Sequence, residues 1–229
     1  MPEFTGYPPG TLKFLKELEA NNSREWFAGN RERYEEMVRE PSLDFIAGMG
    51  PELQKISEAF VAIPKKVGGS LMRVHRDVRF SKDKTPYKTN IGIQFRHELG
   101  KDVHAPGYYM HIDNTGCFLA AGVWRPDSQA LGKIRGQISE QTKAWQKVLS
   151  TKAFRTTFEL GGTSLKRPPR GFDADQPHIE DLKRKDFIAV TNFAAKDVQS
   201  QKFLKQTAGV FGRASGFMEF LCAALEVDY

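Results

Sequence analysis

The sequence predicts a single α+β domain over residues 1–229, with helices at the N-terminal side, a central and mainly antiparallel sheet, and C-terminal helices packed on it. Three observations indicate this fold class. Apolar residues recur at helical spacing in both flanks, and they alternate with polar residues in the middle of the chain. No repeat, low-complexity tract or linker divides the sequence, which favours one domain.

The N-terminal part begins with two predicted helices over residues 11–39. Thr11 is the expected cap of the first helix, which carries three leucines at helical spacing. Asn22, followed three residues later by a glutamate, resembles a capping box and predicts that the second helix begins there. Pro41 is expected to end that helix, and residues 43–56 are expected to form a third.

The middle of the chain carries the strand signals. Residues 71–75 are one strand candidate, and residues 90–96 alternate apolar with polar side chains, as a half-buried strand does. Residues 107–112 and 117–124 are two further candidates. They flank Asp113–Asn114–Thr115–Gly116, a sequence typical of a hairpin turn. Consecutive strands without intervening helices indicate an antiparallel meander.

Helical signals return after these strands. Pro126–Asp127–Ser128 begins a predicted helix whose apolar positions continue to Leu149. Residues 161–177 are a turn-rich loop, residues 186–191 are a last strand candidate, and residues 196–225 supply the C-terminal helix or helices.

Composition narrows the classes of function. Hydrophobic residues make up 40%, aromatic residues 11% and charged residues 27%, which excludes collagen-like, coiled-coil and disordered chains. No apolar run reaches the roughly 18 residues that a membrane span needs. Residues 1–10 show no signal-peptide pattern. We therefore expect a cytoplasmic protein without a membrane association.

The net positive charge is concentrated in one segment. Residues 65–88 hold eight basic and two acidic side chains, so this segment alone matches the formal net charge of +6. The charges of the remaining residues cancel. A local excess of this kind is typical of a site that handles an anion.

The residue types of this segment suit phosphate or carboxylate ligands. In an extended chain, Arg73, His75, Asp77 and Arg79 share one face, and an arginine fork held by an aspartate suits an anion with several oxygens. The predicted ligand-binding residues are Arg73, Arg76, Arg79, Ser81, Lys82, Lys84, Tyr87 and Lys88, with Tyr108, His111 and Trp124 at the edge of the site.

Three functions are open at this point. The first is a pocket for an anionic small molecule, with hydrolytic or transfer chemistry as an option, and residues 166–171 as either a second wall or an exposed linker. The second is nucleic-acid binding by the same patch, and the third is a structural or protein-interaction domain in which the Arg/Asp motif braces the fold. Asp77 and Asp83 are weak candidates for a catalytic base, because an arginine neighbour keeps a carboxyl pKa low. Enzyme status and oligomeric state are left open.

Metal and cofactor signals are weak. The pairs His75–Asp77 and His111–Asp113 have the spacing to ligate a metal from adjacent strands, but arginines beside the first pair oppose a divalent cation. The two cysteines lie in apolar settings with no C-x-x-C spacing, which indicates structural thiols. The sequence therefore predicts no metal and no cofactor.

The basic segment also carries a resemblance. The pattern R-x-x-R-D-x-R-F-S-K-D-K-x-P-Y-K over residues 73–88 resembles the hallmark of a bacterial and fungal family, domain of unknown function 2461. Residues 21–27, 107–112, 122–124 and 167–172 fit the same family, so the resemblance covers nearly the whole chain. It implies a single-domain protein and no particular reaction. The distinguishing residues that it implies are Arg73, Arg76, Asp77, Arg79, Lys82, Asp83, Lys84, Tyr87 and Lys88.

Overall fold

A six-stranded antiparallel sheet organises the computed structural model, which describes residues 3–99 and 105–229. In spatial order the strands are β1-β2-β3-β4-β6-β5, and every pairing between neighbours is antiparallel. Their bounds are β1 Phe60–Val61, β2 Ile91–His97, β3 Gly107–Ile112, β4 Cys117–Val123, β5 Glu159–Gly161 and β6 Phe187–Phe193.

Helices precede and follow this sheet, as the sequence predicts for an α+β fold. A π-helical turn over Glu35–Arg39 joins the third helix to the fourth, and a 3-10 turn over Ala195–Gln199 precedes the ninth. The helices are α1 Gly10–Ala20, α2 Arg24–Gly29, α3 Arg31–Tyr34, α4 Glu40–Gln54, α5 Ser128–Glu140, α6 Thr142–Ser150, α7 Lys152–Arg155, α8 Ile179–Leu182, α9 Phe203–Arg213 and α10 Ser215–Leu225.

The sheet has two unlike faces, which β3 illustrates. Tyr108, Met110 and Ile112 are fully buried, whereas Tyr109 and His111 between them are partly exposed. Successive side chains of a strand point to opposite faces. The ring of Tyr108 lies 4.7 Å from that of a phenylalanine in α9, so the buried face packs against the C-terminal helices. The buried apolar side chains form one continuous core.

The N-terminal helices exist, but their predicted caps are wrong. Thr11 lies inside α1, where its buried hydroxyl donates to the carbonyl of Met37 at 2.6 Å. The cap of α2 is Ser23, whose hydroxyl accepts the Trp26 N–H at 3.2 Å, because the side chain of Asn22 bonds elsewhere. Pro41 does not end a helix. It lies in the first turn of α4, directly after the π-helical turn.

The later elements follow the predictions with three differences. The helix predicted to run to Leu149 breaks at Gln141 into α5 and α6. Residues 71–75 form two isolated bridges, at residues 71 and 75, instead of a continuous strand. The short strands β1 and β5 were not predicted. The strands expected over residues 90–96, 107–112, 117–124 and 186–191 are confirmed within two residues at either end.

The helices also bear on the membrane prediction. Within the two described ranges, no single helix is long and apolar enough to cross a membrane. Only α9 and α10 taken together, with a bend of 54° between them, reach that length and composition.

Candidate functional site

The basic segment forms a hairpin at the edge of the sheet. The backbone N–H of Met72 donates to the Gly92 carbonyl, and that of Lys88 donates to the Val74 carbonyl, at 2.9 and 2.7 Å. Residues 72–76 therefore run antiparallel to residues 86–92, and a loop over residues 77–85 connects them. We call residues 72–92 the basic hairpin. It lies on the same edge of β2 as β1.

Asn22, in the turn between α1 and α2, anchors the basic hairpin. Its Nδ2 donates to the Tyr87 carbonyl at 2.9 Å, and its Oδ1 accepts the Tyr87 N–H at 3.0 Å. The buried ring of Tyr87 stacks on Phe27 of α2, with ring centroids 4.1 Å apart and planes inclined by 18°. An amide side chain thus takes the place of a neighbouring strand and fixes the hairpin against the N-terminal helices.

A cleft of about 370 Å³ lies between this turn and the basic hairpin. Four residues singled out from the sequence line it, namely Arg76, Tyr87 and Lys88 from the predicted ligand-binding set and Asp83 from the weak base candidates. Sequence reasoning missed the remaining lining residues, which are Glu19, Asn22, Thr85, Thr89 and Asn90. Amides, hydroxyls and two cations therefore face one space, with two carboxylates beside them.

Two cations of this region lie near each other, and neither is held in an ion pair within the described residues. Lys88 is partly buried, and both this burial and the nearby charge of Arg73 lower the pKa of its ammonium group. Neither Lys88 nor Arg73 forms an ion pair with any residue of the described ranges. Like charges oppose each other's ionised form, and a bound anion relieves this opposition. The charge of Arg73 also lowers the pKa of the Asp77 carboxyl, but the two side chains form no ion pair.

Other cations of the basic hairpin are already paired within it. The Nε and Nη2 of Arg79 donate to the two carboxylate oxygens of Asp77 at 2.9 and 2.7 Å. Arg76 donates to the carboxylate of Asp83 and to the hydroxyl of Thr85. The hydrogen bonds from Arg79 and Arg76 hold the pKa of Asp77 and that of Asp83 at about 2. Carboxylates with so low a pKa are weak bases at neutral pH.

The tip of the hairpin loop projects into solvent. The side chain of Phe80 is 96% exposed, and the Arg79 guanidinium lies over its ring at 5.9 Å from the centroid. Lys84 donates to the Val78 carbonyl at 2.9 Å, which ties the two sides of the loop together. The predicted residues of this loop that do not line the cleft are Arg79, Ser81, Lys82 and Lys84.

The three predicted edge residues lie in three different places. Tyr108 is buried on the core face of β3, and its hydroxyl is 3.5 Å from that of Tyr229, so it does not line the cleft. Trp124 is 63% exposed at the end of β4, beside the guanidinium of Arg125. His111 lies next to the cleft, because its Nδ1 is 3.4 Å from the Nδ2 of Asn90, a lining residue.

The metal, thiol and loop candidates are placed as follows. Within residues 3–99 and 105–229, no three His, Cys, Asp or Glu side chains are arranged to hold a metal ion. Burial raises the pKa of the Cys117 thiol, and it raises that of Cys222 to about 12, so neither is an activated nucleophile. The basic side chains of residues 166–171 are exposed and do not line the cleft.

Comparison with known proteins adds one match. A family model described as a conserved hypothetical protein (DUF2461) covers residues 10–220. This range includes the turn that holds Asn22, the whole basic hairpin and the strands beside it. No curated protein and no solved structure matches the chain.

Proposed function

The chain belongs to the DUF2461 family of conserved hypothetical proteins, and from that premise we propose that the cleft beside Lys88 binds a small phosphate-bearing or other anionic ligand. The family description names no reaction, so the support comes from the site itself. The observation that carries the proposal is the pair of neighbouring cations, Lys88 and Arg73, neither of which forms an ion pair within residues 3–99 and 105–229.

The electrostatics of the cleft favour an anion with several oxygens. Lys88 is partly withdrawn from water, where the effective dielectric constant is lower and an ionic contact is stronger. Arg73 is exposed and lies outside the lining of the cleft, but its charge acts on Lys88, and its planar fork of donors matches phosphate or carboxylate geometry. Asp83 does not oppose this ligand strongly, because Arg76 already neutralises its charge.

The neutral groups and the volume suggest the rest of the ligand. Thr89 and Asn90 line the cleft and carry a hydroxyl and an amide, and the exposed residue Glu19 brings a carboxylate to its lining. A carboxylate in the lining favours a ligand that carries hydroxyl or amine donors beside its anionic group. A volume of about 370 Å³ lies at the lower end of the range of small-molecule sites. A sugar phosphate or a mononucleotide fits these requirements.

Nucleic-acid binding is a second candidate, which the loop tip favours. An exposed Phe80 among basic side chains has the composition that stacks bases and contacts phosphates in single strands. The affinity for nucleic acid falls steeply as the salt concentration increases, because many phosphate contacts are involved. The affinity for a small ligand with a single anionic group depends less on salt.

A cytoplasmic location also stays a prediction.

The experiment is an isothermal titration of pyrophosphate, ribose 5-phosphate, adenosine monophosphate and a short oligodeoxythymidylate at fixed ionic strength. The proteins are the wild type, Lys88→Met and the matched control Lys84→Met, which changes an exposed lysine of the same hairpin outside the cleft. A hydrogen bond to a charged group contributes about 1.5–3 kcal/mol, so Lys88→Met is expected to weaken binding about 10- to 150-fold.

Each outcome separates the candidate functions. Retained affinity in Lys84→Met together with loss in Lys88→Met supports the cleft. Equal loss in both variants, with binding only to the oligonucleotide, supports the second candidate. If a folded wild-type protein binds none of the probes, the anion site is refuted, and bracing of the fold by the Arg/Asp motif becomes the better explanation.

A further inference from the structure

A hydrogen-bonded chain of three side chains lies beside the cleft, on the side of the sheet opposite the core. The Nε2 of His111 is 2.9 Å from Oδ2 of Asp113, and its Nδ1 is 3.1 Å from the hydroxyl of Tyr109. The His111 ring stacks on Phe118 of β4, with centroids 4.8 Å apart and planes inclined by 10°. The imidazole is therefore fixed in position as well as in orientation.

The turn after β3 determines which nitrogen of His111 carries the proton. Oδ1 of Asp113 accepts the N–H groups of Thr115 and Gly116, at 2.7 and 2.6 Å, and also the Thr115 hydroxyl at 3.0 Å. Burial alone would raise the pKa of Asp113, but the hydrogen bonds from His111 and from the turn outweigh it and keep the carboxyl ionised. An ionised carboxylate can only accept hydrogen bonds, so Nε2 of neutral His111 holds the proton and donates to Asp113. Nδ1 is then the unprotonated nitrogen, which can act as a base.

Tyr109 supplies the hydroxyl that this base faces. Burial, and then the charge of Asp113, raise the pKa of the Tyr109 phenol, so it stays protonated at neutral pH and donates to Nδ1. Its hydroxyl lies over Gly92 of β2, where a Cβ atom would approach it to 2.9 Å. The missing side chain at Gly92 leaves room for the hydroxyl. The order carboxylate, imidazole, hydroxyl is the one by which enzymes activate a nucleophilic oxygen.

We propose that Tyr109 is a nucleophile activated by His111, with Asp113 as the positioning residue, and that the pair acts on a phosphate ester held in the cleft. The substrate class rests on the proposed function, since Asn90 both lines the cleft and approaches Nδ1 of His111. The Tyr109 oxygen forms a bond to phosphorus as the bond from phosphorus to the leaving oxygen breaks. The phenolic proton moves to Nδ1 of His111, which then gives it to the leaving oxygen. In the second step water attacks phosphorus, and the bond from phosphorus to the Tyr109 oxygen breaks as phosphate leaves. His111 takes the proton from the water and returns it to the Tyr109 oxygen.

The activated hydroxyl is tested with phenylmethanesulfonyl fluoride, an electrophile that needs no knowledge of the substrate. The Tyr109 oxygen attacks sulfur, the S–F bond breaks, fluoride leaves and the proton passes to His111. We expect one adduct, located on Tyr109 by peptide mass mapping and absent in Tyr109→Phe. General-base catalysis contributes about 10²–10⁴-fold, so His111→Gln is expected to slow labelling by at least about a hundredfold.

One control variant separates activation from mere structure. His75→Gln changes a second histidine, which packs against the rings of Phe27 and Tyr87. Among the residues that the structure describes, His75 forms no hydrogen bond with a tyrosine hydroxyl, so labelling keeps the wild-type rate. If a folded wild type leaves Tyr109 unlabelled, or His111→Gln labels at the wild-type rate, the relay is overturned.

A second assay keeps the relay and the cleft distinguishable. Tyr109→Phe is expected to bind pyrophosphate with wild-type affinity and to lose the hydrolysis of p-nitrophenyl phosphate that the wild type performs. Labelling of Tyr109 without any binding of pyrophosphate supports the relay and removes phosphate esters as its substrates. Binding of pyrophosphate without labelling supports the cleft and refutes the relay.

Discussion

Removal of the Asn22 side chain tests how the candidate site is held together. Asn22 makes two neutral hydrogen bonds to the backbone of Tyr87, 65 residues away, in a partly buried position. A hydrogen bond of this type contributes about 0.5–1.5 kcal/mol net, so Asn22→Ala is expected to lower the free energy of unfolding by about 1–3 kcal/mol. In a domain of this size, 1 kcal/mol shifts the melting temperature by about 2–4 °C. Scanning calorimetry measures the decrease.

The matched control is Asn21→Ala, which changes the neighbouring asparagine. The Asn21 side chain donates to the Glu17 carbonyl at the exposed end of α1, so we expect a loss within about 0.5 kcal/mol. Asn22→Asp gives a further check, because it keeps the acceptor for the Tyr87 N–H and places an oxygen against the Tyr87 carbonyl. The two facing oxygens cannot form a hydrogen bond, so we expect this variant to be less stable than the wild type at neutral pH. Equal melting temperatures for Asn22→Ala and Asn21→Ala would refute the anchoring role.

Three further predictions concern other parts of the molecule. The pKa of Asp77 and that of Asp83 are lowered from 3.8 to about 2, so their contribution to stability is present above about pH 4 and is lost as the pH falls through 2. An NMR titration of the carboxyl carbons checks this, and midpoints near 3.8 would contradict the pairs. Asp186→Ala leaves the N–H and hydroxyl of Thr163 without their acceptor, so it is expected to lower the free energy of unfolding by about 1–3 kcal/mol. Urea unfolding measures this loss, and an unchanged free energy would mean that water replaces the carboxylate. Phe80→Ser is expected to leave the melting temperature unchanged because the ring is exposed, and a clear decrease would show that another surface covers it.

The main strands were predictable because each is long enough to carry a period. β2, β3 and β4 span six or seven residues, and buried positions recur along them at every second residue for most of their length. β1 and β5 have two and three residues, which is too short for any pattern to emerge. Residues 71–75 carry a strand-like pattern, but their pairing with the neighbouring segment is interrupted. The pattern of one segment does not show how well a second segment can pair with it.

The cleft was predictable on one side only. The basic hairpin stands out by its charge, whereas Asn22 was assigned to a helix cap because a capping pattern lies within a few residues of it. Its actual partner is distant in sequence, and local reasoning has no access to such contacts. Asn90 was missed for a related reason. It reads as the first polar position of a strand, and its role depends on which side chains of β3 lie opposite it.

The cations of the basic hairpin look alike in the sequence, but they differ in the free energy that each gains from binding an anion. An anion that recruits Arg79 has to compete with two hydrogen bonds to Asp77, and one that recruits Arg76 competes with Asp83 and Thr85. An anion at Lys88 and Arg73 displaces no carboxylate and relieves a repulsion that exists before it binds. The same ligand therefore gains more free energy at the second pair, although all four residues look alike in the motif. Substitution of Lys88 therefore separates binding from stability. It removes a repulsive charge from the free protein, which favours the folded state, and it removes a contact to the ligand, which lowers the affinity.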